Sequence, residues 1–220
     1  MLHAAGRDAE AAHAWLALTE RYPDWPAPWS KLAGHYREAG RAEAAEASLR
    51  AGLDATGWAP ALGEQLAMTL LGAGRTEDAI GVFETLHARH PDHDAVANNL
   101  AMLLVTHRDD PEDIARAGAL VTPYADSRNP AYLDTVGWVR LRQGRVAEAL
   151  ELLQEAVRAA PGRPTQRYHL AVAYLESGDE RAARRELDVA LASDAPFPER
   201  EVARRWRERL ASADTKETGR

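Results

Sequence analysis

Apolar residues along this chain recur at steps of three and four, and the stretch from Asn129 to Pro161, NPAYLDTVGWVRLRQGRVAEALELLQEAVRAAP, shows the pattern most plainly. Leu133, Val136, Gly137 and Leu141 share one helix face, and Ala149, Leu150, Leu153 and Ala156 share another. Between the two runs stands Gly144, and Pro161 follows the second, each where a stop signal belongs. The stretch therefore predicts two helices joined by a tight turn. Neither helix can bury its apolar stripe alone, so the pair needs further pairs on either side.

The rest of the chain supplies them. Ala11, Ala45, Ala79, Ala115, Ala149 and Ala183 lie 34, 34, 36, 34 and 34 residues apart. Gly6, Gly40 and Gly74 keep that step in the first half, and Gly144 and Gly178 keep it in the second. The helix-ending position returns as Pro23, Gly57, Pro91, Ser127, Pro161 and Ala195. Trp29-x2-Leu32-Ala33-x2-Tyr36 matches W-x2-L-G-x2-Y, and Ala79-x3-Phe83 with Pro91 matches the second half of the same motif. On these residues the chain resembles the tetratricopeptide-repeat proteins over residues 1–195. The resemblance implies an all-α fold, a right-handed α-α superhelix, and a role in holding other proteins.

The phase predicts a partial repeat at 1–23, full repeats at 26–57, 60–91, 94–127, 130–161 and 164–195, a capping helix at 197–212 and a disordered tail at 213–220. The first helix is expected to end at Gly6, and a second helix to run from Arg7 to Tyr22 with Trp15 and Leu18 facing inward. A chain starting in mid-repeat is expected to be a fragment, or a shortened relative, of a longer array. Within the repeat at 94–127, His107-Arg-Asp-Asp-Pro111 replaces the glycine turn with two extra residues, and Asp110 is placed to cap the following helix. Pro123 should kink or shorten that helix. In the capping helix Val202, Trp206 and Leu210 form one closing face, with charged residues on the others.

In such arrays the first helices line a groove. Positions two, five, six, nine and twelve of each repeat should face it, because they lie opposite the packing positions four, eight and eleven. Position nine gives Gly34, Met68, Met102, Trp138 and Val172; position twelve gives Arg37, Leu71, Val105, Leu141 and Leu175; position six gives Lys31, Gln65, Asn99, Thr135 and His169. The predicted peptide-binding set is Gln65, Met68, Leu71, Asn98, Asn99, Met102, Val105, Thr135, Trp138, Leu141, Tyr168, His169, Val172 and Leu175: an apolar stripe flanked by a polar row. The alternative reading of the same stripe is packing between adjacent first helices. The basic set with which tetratricopeptide co-chaperones grip a C-terminal carboxylate does not occur here.

Composition narrows the classes. The 220 residues carry a net charge of −7 with both signs interspersed, so the concentrated basic footprint of a nucleic-acid binder is missing. There is no cysteine, which removes disulfides, thiolate metal sites and cysteine nucleophiles. No apolar run approaches the ~20 residues needed to span a membrane, and MLHAAGRDAE does not have the form of a secretory signal. The compartment stays open: cytoplasmic on that ground, periplasmic if the chain belongs to a longer envelope protein. His87, His90 and His93 are spaced for metal, but Pro91 interrupts the helix between them, and a solvated helix end accounts for them better. Acidic pairs such as Glu43/Glu46 and Glu148/Glu151 fit surface ion pairs. No phosphate loop or nucleophile elbow occurs, so no catalysis, metal or cofactor is expected.

Residues 94–212 are also similar to the C-terminal repeats of long bacterial tetratricopeptide proteins of the cell envelope and exopolysaccharide export, including PEP-CTERM systems. The resulting expectation is a non-catalytic scaffold with a protein or peptide partner. The alternatives are a self-associating module forming a homo-oligomer, and a domain that positions a glycosyltransferase or another enzyme.

Overall fold

The computed structural model describes residues 2–217, and the side chains of residues 10–212. Among the described residues there are twelve α-helices, one short 3-10 turn and no strand. Two compact units divide the chain, one reaching to Leu100 and the other starting at Ala101, within α6 (Asp94–His107).

The N-terminal unit holds α1 (Leu2–Arg21), α2 (Pro26–Glu38), α3 (Ala42–Ala55), α4 (Pro60–Gly72) and α5 (Thr76–Arg89). α2 pairs with α3 and α4 with α5; α3 packs on α4, α2 also touches α4, and α1 packs on α2. Leu32, Leu49, Leu53, Leu62, Leu66, Leu70, Ile80 and Leu86 are fully buried between them, each worth about 1.5–3 kcal/mol of apolar burial. Close approach is built in at Gly63, where a Cβ would lie 2.5 Å from a methyl of Leu86.

The C-terminal unit holds α7 (Pro111–Val121), α8 (Pro130–Arg142), α9 (Val146–Ala159), α10 (Pro164–Ser177), α11 (Glu180–Ala192) and α12 (Arg200–Glu217). α8 pairs with α9 and α10 with α11, α9 packs on α10, and α12 lies on α11. Phe197, Ala203 and Leu210 join Tyr168, Ala171, Ala183, Leu187 and Ala190 in one buried cluster, with Val202 and Trp206 half-buried against it.

Local chemistry fixes the helix ends. Pro26, Pro60, Pro111, Pro130 and Pro164 open their helices, where a missing N–H costs nothing and a preset φ helps. Gly40, Gly74, Gly144 and Gly178 close first helices with φ between 71° and 82°, a conformation that glycine adopts without penalty. At the irregular turn Asp110 accepts a hydrogen bond from the Glu112 N–H at 2.8 Å, and Arg142 of α8 clamps the loop by donating to the Val105 carbonyl and the Asp109 carboxylate. Pro123 does shorten its helix: α7 stops at Val121 and a 3-10 turn, Thr122–Tyr124, follows.

Two expectations change. α1 is one continuous helix through Gly6, with no turn there. At the other end α12 runs on to Glu217, five residues into the expected tail, whose last residues, 218–220, lie outside the described set. Alanines in SADTKE and its neighbours favour continued helix once a turn is nucleated.

Candidate functional site

The N-terminal unit carries a cleft of about 300 Å³ lined by Trp15 of α1, by Ser30, Lys31, Gly34, His35, Arg37 and Glu38 of α2, and by Gln65 of α4. Ser30, Lys31, Gly34 and Arg37 share a helix face because they recur at one-turn spacing. Lys31 and Arg37 are exposed, and among the described residues no ion pair involves either. The Gln65 amide is fixed by donating to the Ser30 hydroxyl at 2.8 Å, while its Oε1 is buried without a partner. Gly34 lies inside α2, yet a Cβ there would meet nothing within 4 Å. One turn past Gln65, Met68 is 66% exposed, and Leu71 is half-buried.

The same helix positions in the C-terminal unit are occupied by packing. Val105, Thr135, Trp138, Leu141, Tyr168 and His169 are all buried. The His169 Nδ1–H donates to both Asp134 carboxylate oxygens, at 2.9 and 3.1 Å, and the Trp138 ring stacks on the imidazole with centroids 4.3 Å apart. Burial works against a charged imidazole, but the Asp134 carboxylate beside it, with help from Glu199, outweighs that and raises the His169 pKa. Burial also pushes the Tyr168 hydroxyl up, with Glu199 adding and Arg205 opposing. The Trp138 Nε1–H and the Glu199 Oε2 are buried without partners. Val172 and Leu175 are half-buried against the cluster that contains Phe197 and Leu210. Met102 is half-buried, with the Thr106 hydroxyl at 3.5 Å from its sulfur. In the N-terminal unit Asn98 is buried and Asn99 half-buried, the two side chains joined at 3.4 Å.

Thus the predicted set divides. Gln65 lines an open cleft, with Met68 and Leu71 following it along α4; Trp138, Tyr168 and His169 close on one another, and Thr135 is buried with its hydroxyl on the Ala131 carbonyl. The sequence ladders already contain Lys31, Gly34 and Arg37, but these three lie outside the apolar stripe and so outside the predicted set. Their signal is a residue without bulk between two cations. Asp134 is also absent from that set, although it sits one position before the Thr135 rung and meets His169 one repeat later.

Among the described residues no group of three or more His, Cys, Asp or Glu side chains is placed to hold a metal. His90 donates to the Trp58 carbonyl at 2.9 Å, and His87 and His93 keep buried Nδ1 atoms without partners. Glu46 binds Arg50 and Arg75, which hold its pKa down although burial works to raise it; Glu148 binds Arg145. Among the described residues no helix is long and apolar enough to cross a membrane.

Comparison with known proteins agrees with the repeat. Residues 65–128 and 140–202 each match a family model described as tetratricopeptide repeat. A search of curated proteins finds no match. Among solved structures, a tetratricopeptide repeat protein from Parabacteroides merdae superposes with a TM-score of 0.67 at 16% identity, covering 96% of this chain and 86% of that one. A thermophilic protein of this type from Thermus thermophilus gives 0.62 at 24%, covering 86% and 98%. A third, YrrB, described as having an unusual peptide-binding site, gives 0.58 at 18%, covering 82% and 92%. The fold class is thus the all-α repeat superhelix, and the chain belongs to the tetratricopeptide-repeat family.

Proposed function

We propose that this chain is a protein-interaction scaffold that seats a peptide segment of a partner in the cleft between α1, α2 and α4. The observation that carries the reading is Gly34. A glycine inside a helix costs roughly 0.5–1 kcal/mol relative to alanine, and here no neighbouring atom requires the missing side chain. The vacant position opens the cleft floor between polar side chains that point into it, and the exposed Met68 continues the same row with a flexible apolar surface. The neighbour described as having a peptide-binding site supports the class of ligand.

The test is a random peptide-display selection on the wild-type chain and on Gly34→Leu, which fills the cleft. Peptides enriched on wild type should lose binding to the variant while its circular dichroism stays unchanged. Retention of the same peptides by Gly34→Leu overturns the assignment to this cleft.

A second reading, self-association, is favoured by Leu16, Tyr22 and Trp25, which are 40%, 43% and 49% exposed in the N-terminal unit. It requires a mass that rises above 24.1 kDa with concentration, and a strict monomer in light scattering removes it. The narrower assignment, a scaffold in bacterial envelope or exopolysaccharide assembly, is supported by the resemblance of residues 94–212. Its test is co-fractionation with the envelope.

A further inference from the structure

We infer that the partner segment taken by the α1–α2–α4 cleft is acidic, its carboxylates seated on Lys31 and Arg37 and its backbone N–H donating to Gln65. This rests on the docking reading above and names the chemistry of the guest.

Three observations converge on it. Lys31 and Arg37 lie six residues apart on α2, flanking Gly34, both line the cleft, and among the described residues no ion pair engages either. The contrast with the neighbouring cations is direct: Arg50 and Arg75 are both occupied by Glu46, and Arg75 also by Asp78. Among the described residues of the cleft lining Glu38 is the one carboxylate, set against two full cations, so the local balance of charge is positive although the chain as a whole is at −7. Such a balance draws carboxylates and repels ammonium groups.

The second observation is the Gln65 Oε1. Its amide nitrogen is tethered to Ser30, so the oxygen is held in place as a buried acceptor with no donor. A buried acceptor left unmade costs on the order of 1–3 kcal/mol, and a backbone N–H of an extended segment crossing the cleft relieves it. The third is the space above Gly34, which admits that backbone between the two cations. A segment held this way carries its acidic side chains toward Lys31 and Arg37, and an apolar side chain next to Met68.

The probe is a fluorescein-labelled 12-residue peptide of repeated Glu-Leu-Glu-Ser, compared with the same peptide bearing Lys or Gln in place of Glu. Fluorescence anisotropy on the full chain should show binding of the acidic peptide, weakened at least tenfold by Lys31→Glu/Arg37→Glu and progressively by added salt, with no binding of the lysine peptide. Gln65→Leu should weaken the acidic peptide as well. Circular dichroism checks that each variant is folded; both cations are exposed, so reversal leaves helicity intact. Equal binding of the three peptides, or unchanged binding of the acidic one after charge reversal, overturns the inference and leaves the docking reading in place. Failure of the acidic peptide to bind at all also overturns the inference, while the docking reading is then decided separately by the Gly34→Leu selection.

Discussion

The two units put equivalent helix positions to opposite uses. In the N-terminal unit, position nine is Gly34 and then Met68, so the first-helix face is hollow and then exposed. In the C-terminal unit the same position is Trp138, buried under a stacked histidine whose charge partner comes from a neighbouring first helix. Position nine is not what closes a helical hairpin; positions four, eight and eleven do that. It is therefore free to be filled or emptied, and the residues at five and six decide which. Asp134 and His169 join α8 to α10 and draw Trp138 inward, whereas Gln65 and Ser30 join α4 to α2 and leave the space beside them open.

Substitutions should expose this difference as a gradient. Trp138→Ala should cost about 3–5 kcal/mol, the usual cost of removing a buried indole, while Met68→Ala should cost under about 0.5 kcal/mol, as an exposed surface change does. Chemical denaturation of both variants measures the gap, and equal losses would mean that the two rows are not used differently.

Next in size is Asp134→Leu, which leaves His169 buried without its carboxylate and should cost about 3 kcal/mol. The same pair gives the C-terminal unit a pH dependence. Below the ordinary imidazole value of 6.5, folded and unfolded His169 are both protonated and the pair contributes in full. As pH rises through the raised folded value the ring loses its proton and that contribution disappears. Thermal unfolding should therefore occur at lower temperature on the alkaline side, and Asp134→Leu should abolish that decline. A wild-type Tm that climbs with pH from 6.5 to 9 would contradict the assignment.

The smallest effects come from two glycines one position apart in the repeat. Gly137→Ala should destabilise by about 1–3 kcal/mol, because its Cβ would lie 2.7 Å from Leu153 in a packed core. Gly34→Ala should stabilise by roughly 0.5–1 kcal/mol, because its Cβ meets only open space. If both destabilise, the cleft is not open at Gly34.

Much of this fold is legible in the order of residues because it is built from local signals. Proline at helix starts, glycine at hairpin turns and small residues at a fixed step act over a few residues each, and they locate the hairpins before any contact is known. The site is less legible. Thr135, Trp138 and His169 share helix phase with Met68, and nothing in their own helices tells buried from open. That depends on Asp134 pairing with a residue 35 positions away, and on Phe197 and Leu210 completing the cluster around Tyr168. Gly6 misleads in the other direction: it has the turn residue's phase, yet α1 runs through it as one helix.

The prolines that open α2, α4, α8 and α10 have an effect on heredity as well as on geometry. Within the first turn the ring is tolerated, as Pro28 shows two residues past Pro26 in α2. Carried a full turn or more into the rod, it would meet the carbonyl four places behind and cost that helix a hydrogen bond. Length can thus change by whole hairpins, or in a connecting loop such as 107–111, more readily than by a turn inserted ahead of one of these rings.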